Sequence, residues 1–502
     1  ALGGVVAVLQ QHGAGVFGAC RAAQVLGQAA VELLQLLLQR GLQQGVLAGG
    51  EVSHASVSPG VVAGLQAHAP MLRARAAARL EARQGPLPTM PRTMSPTPPP
   101  QACDVLVIGA GPAGAACAQR LAGRGRHVLL VDQHDFPRDK VCGDGLIPDA
   151  HAALARLGVL DEVLALAQPV GVVRCIAPRG HHVDVPGHLC VLPRRELDHL
   201  LVRAAQRAGA VLATPWRFER PLEDSAGRVA GARLRSRDGG VAEVAARWVV
   251  LATGAAAPPL VAAGLAERHT PSGVALRGYI EHPALAAQMR ELQLVWHPRL
   301  KGGYGWIFPA PGGRFNIGTG VVGSHELGDD GHGQRRAGPN LRRLFEAFCD
   351  VHEPAHRLVN EGTWAGELKG APLRCSLTGA RFSRPGLLGT GEAIGSTYAF
   401  TGEGIGKALE TGLAAADTLL ATPADDGAVQ GRYAATLAAL KPRFDTYETA
   451  SYVNRWPWIA NLVVSRARRS PRILGKLQGL LEETQHPGNL FSLRGMARLM
   501  FE

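Results

Sequence analysis

Long apolar runs, paired cysteines and aromatic residues are all scarce in this sequence of 502 residues. No uncharged apolar run reaches the roughly 18 residues that a membrane-spanning helix requires, because Gln, Glu and Arg break the most hydrophobic stretch, VELLQLLLQRGLQQGVL. The eight cysteines form no Cys-x-x-Cys pair, which argues against a zinc ribbon or a disulfide framework and favours a reducing cytoplasm. We therefore expect a cytoplasmic protein that is soluble or, at most, attached to a membrane surface.

Acidic residues are fewer than basic ones, and the excess gives a formal net charge of +12 and a pI of about 9.7. Most of the positive residues are arginines spread along the chain, and no nucleic-acid-binding motif accompanies them. No nucleic-acid partner is predicted, because a phosphorylated substrate or an anionic lipid explains the excess charge equally well.

The first 100 residues lack Asp, Lys, Tyr and Trp, unlike the rest of the chain. A proline-rich stretch at 97–100 precedes the first convincing strand, and Met94 lies just before it. We interpret residues 1–100 as an unstructured extension or an over-long gene start, with the natural start near Met94. The Arg-rich composition would also fit a transit peptide, although serine is sparse.

The stretch CDVLVIGAGPAGAACAQRLAGRGRHVLLVDQ predicts a strand, a tight turn, a helix and a second strand. The turn holds Gly109, Gly111 and Gly114 in Gly-x-Gly-x-x-Gly spacing, and Asp132 ends the second strand 18 residues after the last glycine. Such glycines allow a tight turn, close approach of a pyrophosphate and packing of helix on strand, while the acidic residue accepts hydrogen bonds from a ribose. The helix N-terminus favours the phosphate charge. A dinucleotide-binding site is predicted here.

A second glycine-rich stretch, LLGTGEAIGSTYAFTGEGIGKALETGLAAADTLL, predicts a strand, a loop and a long helix that begins near Gly404. With the first motif, it resembles the FAD-dependent family that includes aromatic hydroxylases, flavin-dependent halogenases and geranylgeranyl reductases. The resemblance implies that FAD is the cofactor, that Glu392 contacts the ribityl chain and that backbone from Gly402 to Ile405 lies against the flavin ring. The chain departs from the family at Glu392, where Asp is usual, and at Ala399, where proline is usual.

Two weaker motifs between these stretches match the same family. VLPRRELDHLL matches its Arg-x-x-Leu-Asp pattern and would place Arg194 near the cofactor, unless that arginine only opens a surface helix. FPRDKVCGDGL parallels the Cys-Gly-Gly segment of the reductases, with Asp144 in place of the middle glycine. The predicted cofactor contacts are Gly109, Gly111, Ala113, Gly114, Asp132, Cys142, Gly143, Gly145, Arg194, Gly254, Glu392, Gly402, Gly404 and Ile405.

Aromatic residues make up only 5% of the chain, yet Tyr304, Trp306 and Phe308 alternate along one predicted strand. Alternation with a period of two places the three rings on one face. The pattern Tyr-x-Trp-x-Phe-Pro, followed after eight residues by Gly-Thr-Gly, resembles the signature of the geranylgeranyl reductase group. This resemblance implies that Tyr304, Trp306, Phe308 and Pro309 line a tunnel for an unsaturated hydrocarbon chain. The alternative is that the rings fill a core between sheet and helices.

The predicted fold class is α/β, with a Rossmann-like three-layer FAD-binding domain and an inserted antiparallel sheet that walls the substrate pocket. The stretches SGVALRGYI, LQLVWH, YGWIFPAP and RFNIGTGVV are the predicted strands of that sheet. We place the FAD-binding domain at 101–270 and 375–425, the substrate sheet at 271–374 and a helical region at 426–502.

The resemblance implies an FAD-dependent oxidoreductase that reduces carbon–carbon double bonds of an isoprenoid chain by hydride transfer from reduced flavin. An unactivated alkene also needs a proton from an acid in a dry pocket, and water, Tyr304 and Cys142 are the candidates. NADPH or ferredoxin could supply the electrons, since the single Gly-x-Gly-x-x-Gly site is assigned to FAD. The alternative is a flavin-dependent monooxygenase of an aromatic or polyketide-like compound, which is disfavoured because Thr253-Gly254 stands where hydroxylases carry Asp-Gly.

Two further stretches allow more than one interpretation. RWPWIANLVVSRARRSPRILGKL, residues 455–477, combines tryptophans, an apolar run and arginines, and could either dock on an anionic membrane or pack as helices with a solvated basic face. His352-Glu353-x-x-His356 matches a zinc-protease pattern, but Pro354 lies between the histidines, which this pattern needs on one unbroken helix. No metal site is predicted.

Overall fold

The computed structural model describes residues 98–323, 339–421 and 425–485. The extension predicted at residues 1–100 falls outside this part of the chain, except for its last three residues. Residues 486–502 of the predicted helical region also lie outside it. Within the described residues, no helix is both long enough and apolar enough to cross a bilayer.

The strands of the described residues are β1 (Ala102–Ile108), β2 (Val128–Val131), β3 (Gly145–Leu146), β4 (Gln168–Ile176), β5 (His182–Val191), β6 (Val211–Ala213), β7 (Trp216–Glu223), β8 (Val229–Ser236), β9 (Val241–Leu251), β10 (Gly273–Glu281), β11 (Leu292–Val295), β12 (Gly303–Ala310), β13 (Arg314–Val322), β14 (Thr363–Trp364), β15 (Lys369–Leu373), β16 (Ser383–Arg384) and β17 (Leu387–Gly389). The α-helices are α1 (Pro112–Ala122), α2 (Pro148–Arg156), α3 (Leu160–Leu166), α4 (Arg194–Arg207), α5 (Ala257–Ala262), α6 (Pro283–Ala286), α7 (Leu341–Val351), α8 (Glu353–Glu361), α9 (Ile405–Ala421), α10 (Asp426–Ala450), α11 (Tyr452–Arg455), α12 (Trp458–Ala467) and α13 (Pro471–Leu481).

The first sheet is built around five parallel strands in the order β17-β9-β1-β2-β6. The central strands are buried on both faces, as is typical of a parallel sheet covered by two layers. Val105 and Val107 of β1 pack against α1, α9 and α10, whereas Leu106 and Ile108 face the layer formed by β7, β8 and β9. This arrangement confirms the predicted three-layer α/β class.

The second sheet contains the four strands predicted between residues 272 and 322, now β10 to β13, in the order β10-β13-β12-β11. It also takes β3, β4 and β5 from the chain before residue 271, and β4 pairs with β11 in parallel. This pairing buries Val170, Val173 and Leu189 against Leu292, so these apolar residues determine where β4 and β5 lie. The sheet is thus larger than the stretch 271–374 assigned to it, while the domain boundaries themselves stay a prediction.

The C-terminal helices pack on β4 and β5. Val183 and Val185 of β5 are buried against Val453, Val463 and Val464 of α11 and α12. Full burial of such a side chain stabilises the fold by about 1.5–3 kcal/mol. These helices therefore hold the sheet edge in place and form one wall of the space beside it.

The helix is interrupted at His352, because α7 ends at Val351 and α8 begins at Glu353. The Nε2 atom of His352 lies 2.7 Å from Gln293 Oε1, and His356 Nε2 lies 3.0 Å from Asn360 Nδ2. The two imidazoles thus have separate protein partners.

Candidate active site

A cavity of about 960 Å³ is lined by residues from both sheets and from the C-terminal helices. Every predicted cofactor contact except Gly114 lies in its wall, although these residues are spread from position 109 to position 405. Tyr304, Trp306 and Phe308 line the same cavity. The fold therefore brings the predicted cofactor residues and the predicted substrate residues into one site. The roles of the individual residues stay predictions.

The first glycine turn leaves no room for side chains. A methyl group on Gly109 would lie 2.3 Å from the carbonyl oxygen of Ala252, and one on Gly114 would lie 1.8 Å from the carbonyl oxygen of Gly109. Gly114 does not reach the cavity because it packs the helix on the strand, as its position in the motif implies. Gly111 begins α1 without a side-chain cap, so the first N–H groups of this helix are left for a ligand.

Two guanidinium groups flank this turn. A methyl group on Gly111 would lie 3.6 Å from Arg194 Nη2 and 3.7 Å from Arg138 Nη2. Arg194 is held by Asp198, which accepts from its Nε at 2.6 Å and from its Nη2 at 2.8 Å. Asp132 is oriented by backbone donors, since Ala110 N–H donates to its Oδ2 at 2.9 Å. Fixed positive charge and free N–H groups together suit a pyrophosphate.

The donor set of the cavity fits FAD. Arg138 Nε and Thr253 Oγ1 are buried polar atoms without a hydrogen-bond partner, and both residues line the cavity. Such orphaned groups are rare in folded proteins and indicate a missing ligand. Gly254 has a φ of +72°, which favours glycine, and a methyl group on it would lie 3.9 Å from Glu392 Oε2.

The second glycine loop lines the same cavity as the first glycine turn. Burial raises the pKa of Glu392, whose Oε1 lies 3.4 Å from Thr397 Oγ1. The loop from Gly402 to Gly404 lines the cavity and leads into α9, which begins at Ile405 as predicted. A helix N-terminus at this position would favour negative charge on a nearby flavin ring.

Asp144 behaves unlike the glycine that it replaces in the family pattern, although it keeps a left-handed backbone with a φ of +66°. Its carboxylate is fully buried and accepts from the Tyr279 hydroxyl, from Asn316 Nδ2 at 2.7 Å and from the Arg194 N–H at 3.2 Å. Burial raises its pKa from 3.8 to about 6, although these hydrogen bonds and the charge of Arg277 act in the opposite direction. The Asp144 side chain therefore anchors the loop at 142–145 by hydrogen bonds, at a position where the family pattern has glycine.

Asn316 joins this loop to the aromatic strand. Its Nδ2 donates to the carbonyl oxygen of Cys142 at 2.7 Å as well as to Asp144, and its Oδ1 accepts from Trp306 Nε1 at 2.9 Å. All three side chains involved, Asn316, Asp144 and Trp306, are buried. One amide thus sets the distance between the loop at 142–145 and the aromatic wall.

The three aromatic rings form a continuous wall on one face of β12, as the alternation predicts. Tyr304 and Trp306 have ring centroids 6.2 Å apart, and Trp306 and Phe308 have centroids 6.3 Å apart. The wall runs from the loop at 402–404 to the loop at 142–145, since a methyl group on Gly402 would lie 3.1 Å from Tyr304 Oη and one on Gly143 would lie 3.1 Å from Phe308 Cε2. Pro309 is buried in the strand and does not line the cavity, because its side chain belongs to the opposite face.

Beyond Tyr304 the cavity continues as an apolar space. Trp296 stacks on Phe400 with centroids 6.3 Å apart and lies 5.9 Å from Tyr304. The remaining wall consists of aliphatic side chains from the sheet and from the C-terminal helices: Val173, Val183, Val185, Leu189, Leu292, Leu294, Val453, Val463, Val464, Leu477, Leu480 and Leu481. A long hydrocarbon chain matches such a lining.

A half-buried acid within the second glycine loop also borders the cavity. Glu403 lines the cavity, and its Oε1 accepts from the Gly406 N–H at 2.8 Å. Asp149 and Lys407 lie next to it, with Lys407 Nζ 3.3 Å from Asp149 Oδ2. Burial raises the pKa of Glu403 well above its usual range, and the negative charge of Asp149 adds to this rise. The cavity wall therefore holds a carboxyl group whose pKa is raised by burial and by a neighbouring negative charge.

Sequence reasoning missed Arg138, Asn316, Tyr279 and Glu403. Asn316 carried a signal, because a single amide stands between Phe315 and Ile317 in an otherwise apolar strand. Glu403 stands between the two glycines of the flavin loop, where a charged residue also invites explanation. Arg138 and Tyr279 carry no such signal, since their role depends on residues far away in the chain.

Comparison with known proteins agrees with this site. A family model described as an FAD binding domain matches residues 102–297. The chain is 33% identical over 333 residues to menaquinone reductase of Mycolicibacterium smegmatis, which spans 63% of this chain and 76% of that protein. It is 30% identical over 318 residues to digeranylgeranylglycerophospholipid reductase 2 of Methanopyrus kandleri, which spans 62% of this chain and 74% of that protein.

A solved structure of a geranylgeranyl bacteriochlorophyll reductase-like protein from Thermoplasma acidophilum has the same fold. It matches with a TM-score of 0.59 at 21% identity, over 80% of this chain and 96% of that chain. The glycine turns, the orphaned donors and the reductase relatives all indicate the same cofactor, so the protein is an FAD-dependent oxidoreductase. The chain belongs to the geranylgeranyl reductase family of FAD-dependent oxidoreductases.

Proposed function

We propose that this protein reduces a carbon–carbon double bond in the isoprenoid chain of a lipid. The observation that carries the proposal is the apolar space walled by Tyr304, Trp306 and Phe308, which opens directly from the predicted flavin site. Flat rigid rings pack well against the planar double bonds of an extended polyprenyl chain. The names of two relatives support the same substrate class, since menaquinone and digeranylgeranylglycerophospholipid both contain such chains.

The residues of this chain would divide the work between binding the cofactor and shaping the pocket. The first glycine turn, Arg138 and Arg194 would hold the pyrophosphate, Asp132 the adenosine ribose and Glu392 the ribityl chain. FAD held by these residues would, when reduced, supply the hydride that the reduction of a double bond needs. Trp306, fixed by Asn316, would hold the alkene against the loop at 142–145 and keep water away from it.

The second carbon needs a proton, and three side chains in the cavity wall could donate it. Burial raises the pKa of the Cys142 thiol and of the Tyr304 hydroxyl, so both stay protonated at neutral pH. Burial also raises the pKa of the Glu403 carboxyl well above its usual range. We therefore place Glu403 beside the two residues expected from sequence as a candidate proton donor.

Substitution of the three candidates separates their roles. Cys142→Ser, Tyr304→Phe and Glu403→Gln each remove or weaken one acid while keeping its shape. Loss of the proton donor is expected to lower kcat by about 100-fold or more, whereas loss of a wall residue raises KM more than it lowers kcat. If all three variants keep the wild-type kcat, the proton comes from water.

The first experiment is mass spectrometry of lipids from cells that express the protein, with an empty-vector control. Compounds that gain pairs of hydrogens would support the proposal and identify the substrate. Compounds that gain a single oxygen would point instead to the monooxygenase alternative, and oxygen dependence separates the two, because an alkene reductase works anaerobically. The same assay with NADPH or with reduced ferredoxin identifies the electron donor, which stays open.

A further inference from the structure

Three large aromatic side chains are exposed together at the start of the C-terminal helices. Tyr452, Trp456 and Trp458, here called the aromatic patch, are 55%, 46% and 61% exposed. They belong to α11, α12 and the short link between these helices. Exposing a large aromatic side chain to water is unfavourable, and three such residues within seven positions, two of them tryptophans, indicate a binding surface.

Hydrogen bonds connect the segment that carries the aromatic patch to the wall of the cavity. Asn454, which lies within it, is buried and accepts from Trp296 Nε1 at 2.8 Å, while its own Nδ2 donates to the carbonyl oxygen of Phe400 at 3.2 Å. Trp296 and Phe400 are both cavity residues. The outer surface of this segment therefore lies one layer of side chains away from the apolar space.

Helix α12 has two different faces. Ala460, Val463 and Val464 point inward and line the cavity. Trp458, which is exposed, is followed at helical spacing by the half-buried Leu462 and Arg466 on the outer side. The exposed Arg468 and Arg469 lie just past the end of the helix. One end of the outer face is thus aromatic and the other basic. This combination is typical of a helix that lies in the plane of a membrane surface.

The charge around the patch is positive. Residues 451–485 contain six Lys or Arg residues and two Glu residues, one of which, Glu483, is paired with Lys407 and Arg443. Lys301 adds a further cation, with its Nζ 5.2 Å above the ring of Trp456. Amphipathic aromatic rings beside Lys and Arg side chains match the head-group region of an anionic bilayer.

We propose that the aromatic patch and the outer face of α12 dock on an anionic lipid bilayer, from which the protein takes up its lipid substrate. The proposal rests on the proposed function, because a lipid substrate is what such a surface would receive. An acidic electron-donor protein could also use the basic residues, but it gives no reason for the helix behind the patch to form the cavity wall. The bilayer explains both faces of the same helix.

The test measures binding of the full FAD-loaded chain to liposomes without substrate or turnover. Wild-type protein is expected to sediment with liposomes of phosphatidylcholine and phosphatidylglycerol, less with phosphatidylcholine alone, and less as salt rises. Trp456→Ser with Trp458→Ser should weaken binding by at least roughly tenfold for each ring. Arg468→Gln with Arg469→Gln should weaken it by roughly thirtyfold, from the charge alone.

The matched control replaces exposed apolar residues elsewhere. Leu164 and Leu166 of α3 are each 45% exposed and do not line the cavity, so Leu164→Ser with Leu166→Ser should bind like wild type. Flavin content and the melting temperature show that each variant is folded. The arginine pair keeps the test valid if the tryptophan pair does not fold.

The outcomes separate this inference from the proposed function. Wild-type protein that ignores anionic liposomes, or patch variants that bind as tightly as the control, would overturn the docking surface. The docking surface would also be overturned if wild-type protein bound an acidic iron–sulfur protein but not liposomes, and if the arginine double variant no longer bound that acidic protein. Reduction of a detergent-solubilised isoprenoid is measured separately, so a failed reaction with normal liposome binding overturns the proposed function alone.

Discussion

The predicted nucleotide end and the proposed substrate end of the cavity are built in opposite ways. The nucleotide end is built mainly from one contiguous stretch, from β1 to Asp132, in which backbone atoms and glycines predominate, and Arg138 and Arg194 flank it. The substrate end is assembled from side chains of β4, β5, β11, β12 and helices near the C-terminus, which are far apart in the sequence.

This difference follows from what each end has to recognise. A pyrophosphate is small and charged, so a tight turn and a helix N-terminus suffice, and both are local structures. A hydrocarbon chain offers no polar group, so it can be held only by a large apolar surface that several elements must share. Substitutions at the two ends should therefore have different effects on stability and on flavin content.

The largest effect is expected at the glycine turn. Gly114→Ala places a methyl group 1.8 Å from the Gly109 carbonyl oxygen, so the turn must move and stability should fall by about 3 kcal/mol or more. Flavin absorbance per protein after purification should fall with it. Gly431→Ala in α10 is the control, because nothing lies near that glycine and the change should stabilise the helix by about 0.5–1 kcal/mol. A Gly114→Ala protein with full flavin content would contradict the tight packing.

The next largest effect is expected where the two ends are joined. Asn316→Leu removes the donor to Asp144 and Cys142 and the acceptor for Trp306, leaving buried polar groups without partners. We expect a loss of about 2–4 kcal/mol in the free energy of unfolding, measured by chemical denaturation. The exposed Asn360→Leu should change it by less than about 0.5 kcal/mol. If both variants lose a similarly small amount of stability, the hydrogen bonds of Asn316 contribute little to the free energy of unfolding.

The pH dependence of stability isolates Asp144. Its pKa is raised from 3.8 to about 6, so the folded state binds a proton more tightly, and stability present below about pH 4 is lost as the pH rises through about 6. The shift corresponds to about 3 kcal/mol, which should vanish from the pH profile of Asp144→Asn. Asp149 and Glu403 also have raised pKa values, but their contribution is present in both proteins and cancels in the difference.

If the free energy of unfolding changes with pH in the same way for wild type and Asp144→Asn between about pH 4 and pH 7, burial does not raise the pKa of Asp144. The groups that face Asp144 are Tyr279 and Arg277 from β10, Arg194 from α4 and Cys142 from its own loop. Of these, the two arginines stay charged across the whole range, so they do not add a slope of their own.

The smallest effect is expected for a single ring of the aromatic wall. Tyr304→Phe keeps the ring but removes the hydrogen bond to the carbonyl oxygen of Thr401, so stability should fall by about 1 kcal/mol. Flavin content should not change, because the glycine loop is held by its own backbone. A loss of flavin in this variant would show that the substrate end also holds the cofactor.

Most of the fold and the nucleotide end could be predicted from the sequence. The apolar strand, the glycine spacing and Asp132 lie within one stretch, and the four strands from β10 to β13 were marked by their alternation. The pairing of β4 with β11 could not be predicted, because parallel pairing between distant strands leaves no local pattern. Pro309 was assigned to the wall through its motif, although a residue next to Phe308 must face the other way.

The sequence by itself determined the cofactor class, the three-layer domain and the face on which Tyr304, Trp306 and Phe308 lie. Those features rest on local spacing, since turns, helix starts and strand alternation depend on neighbours in the chain. Only the tertiary structure decided that Asp144 and Asn316 fasten the loop to the aromatic strand, that Glu403 borders the cavity, and that α12 has one face inside and one outside. These are contacts between distant segments, and their geometry exists only after the sheets and helices have packed together.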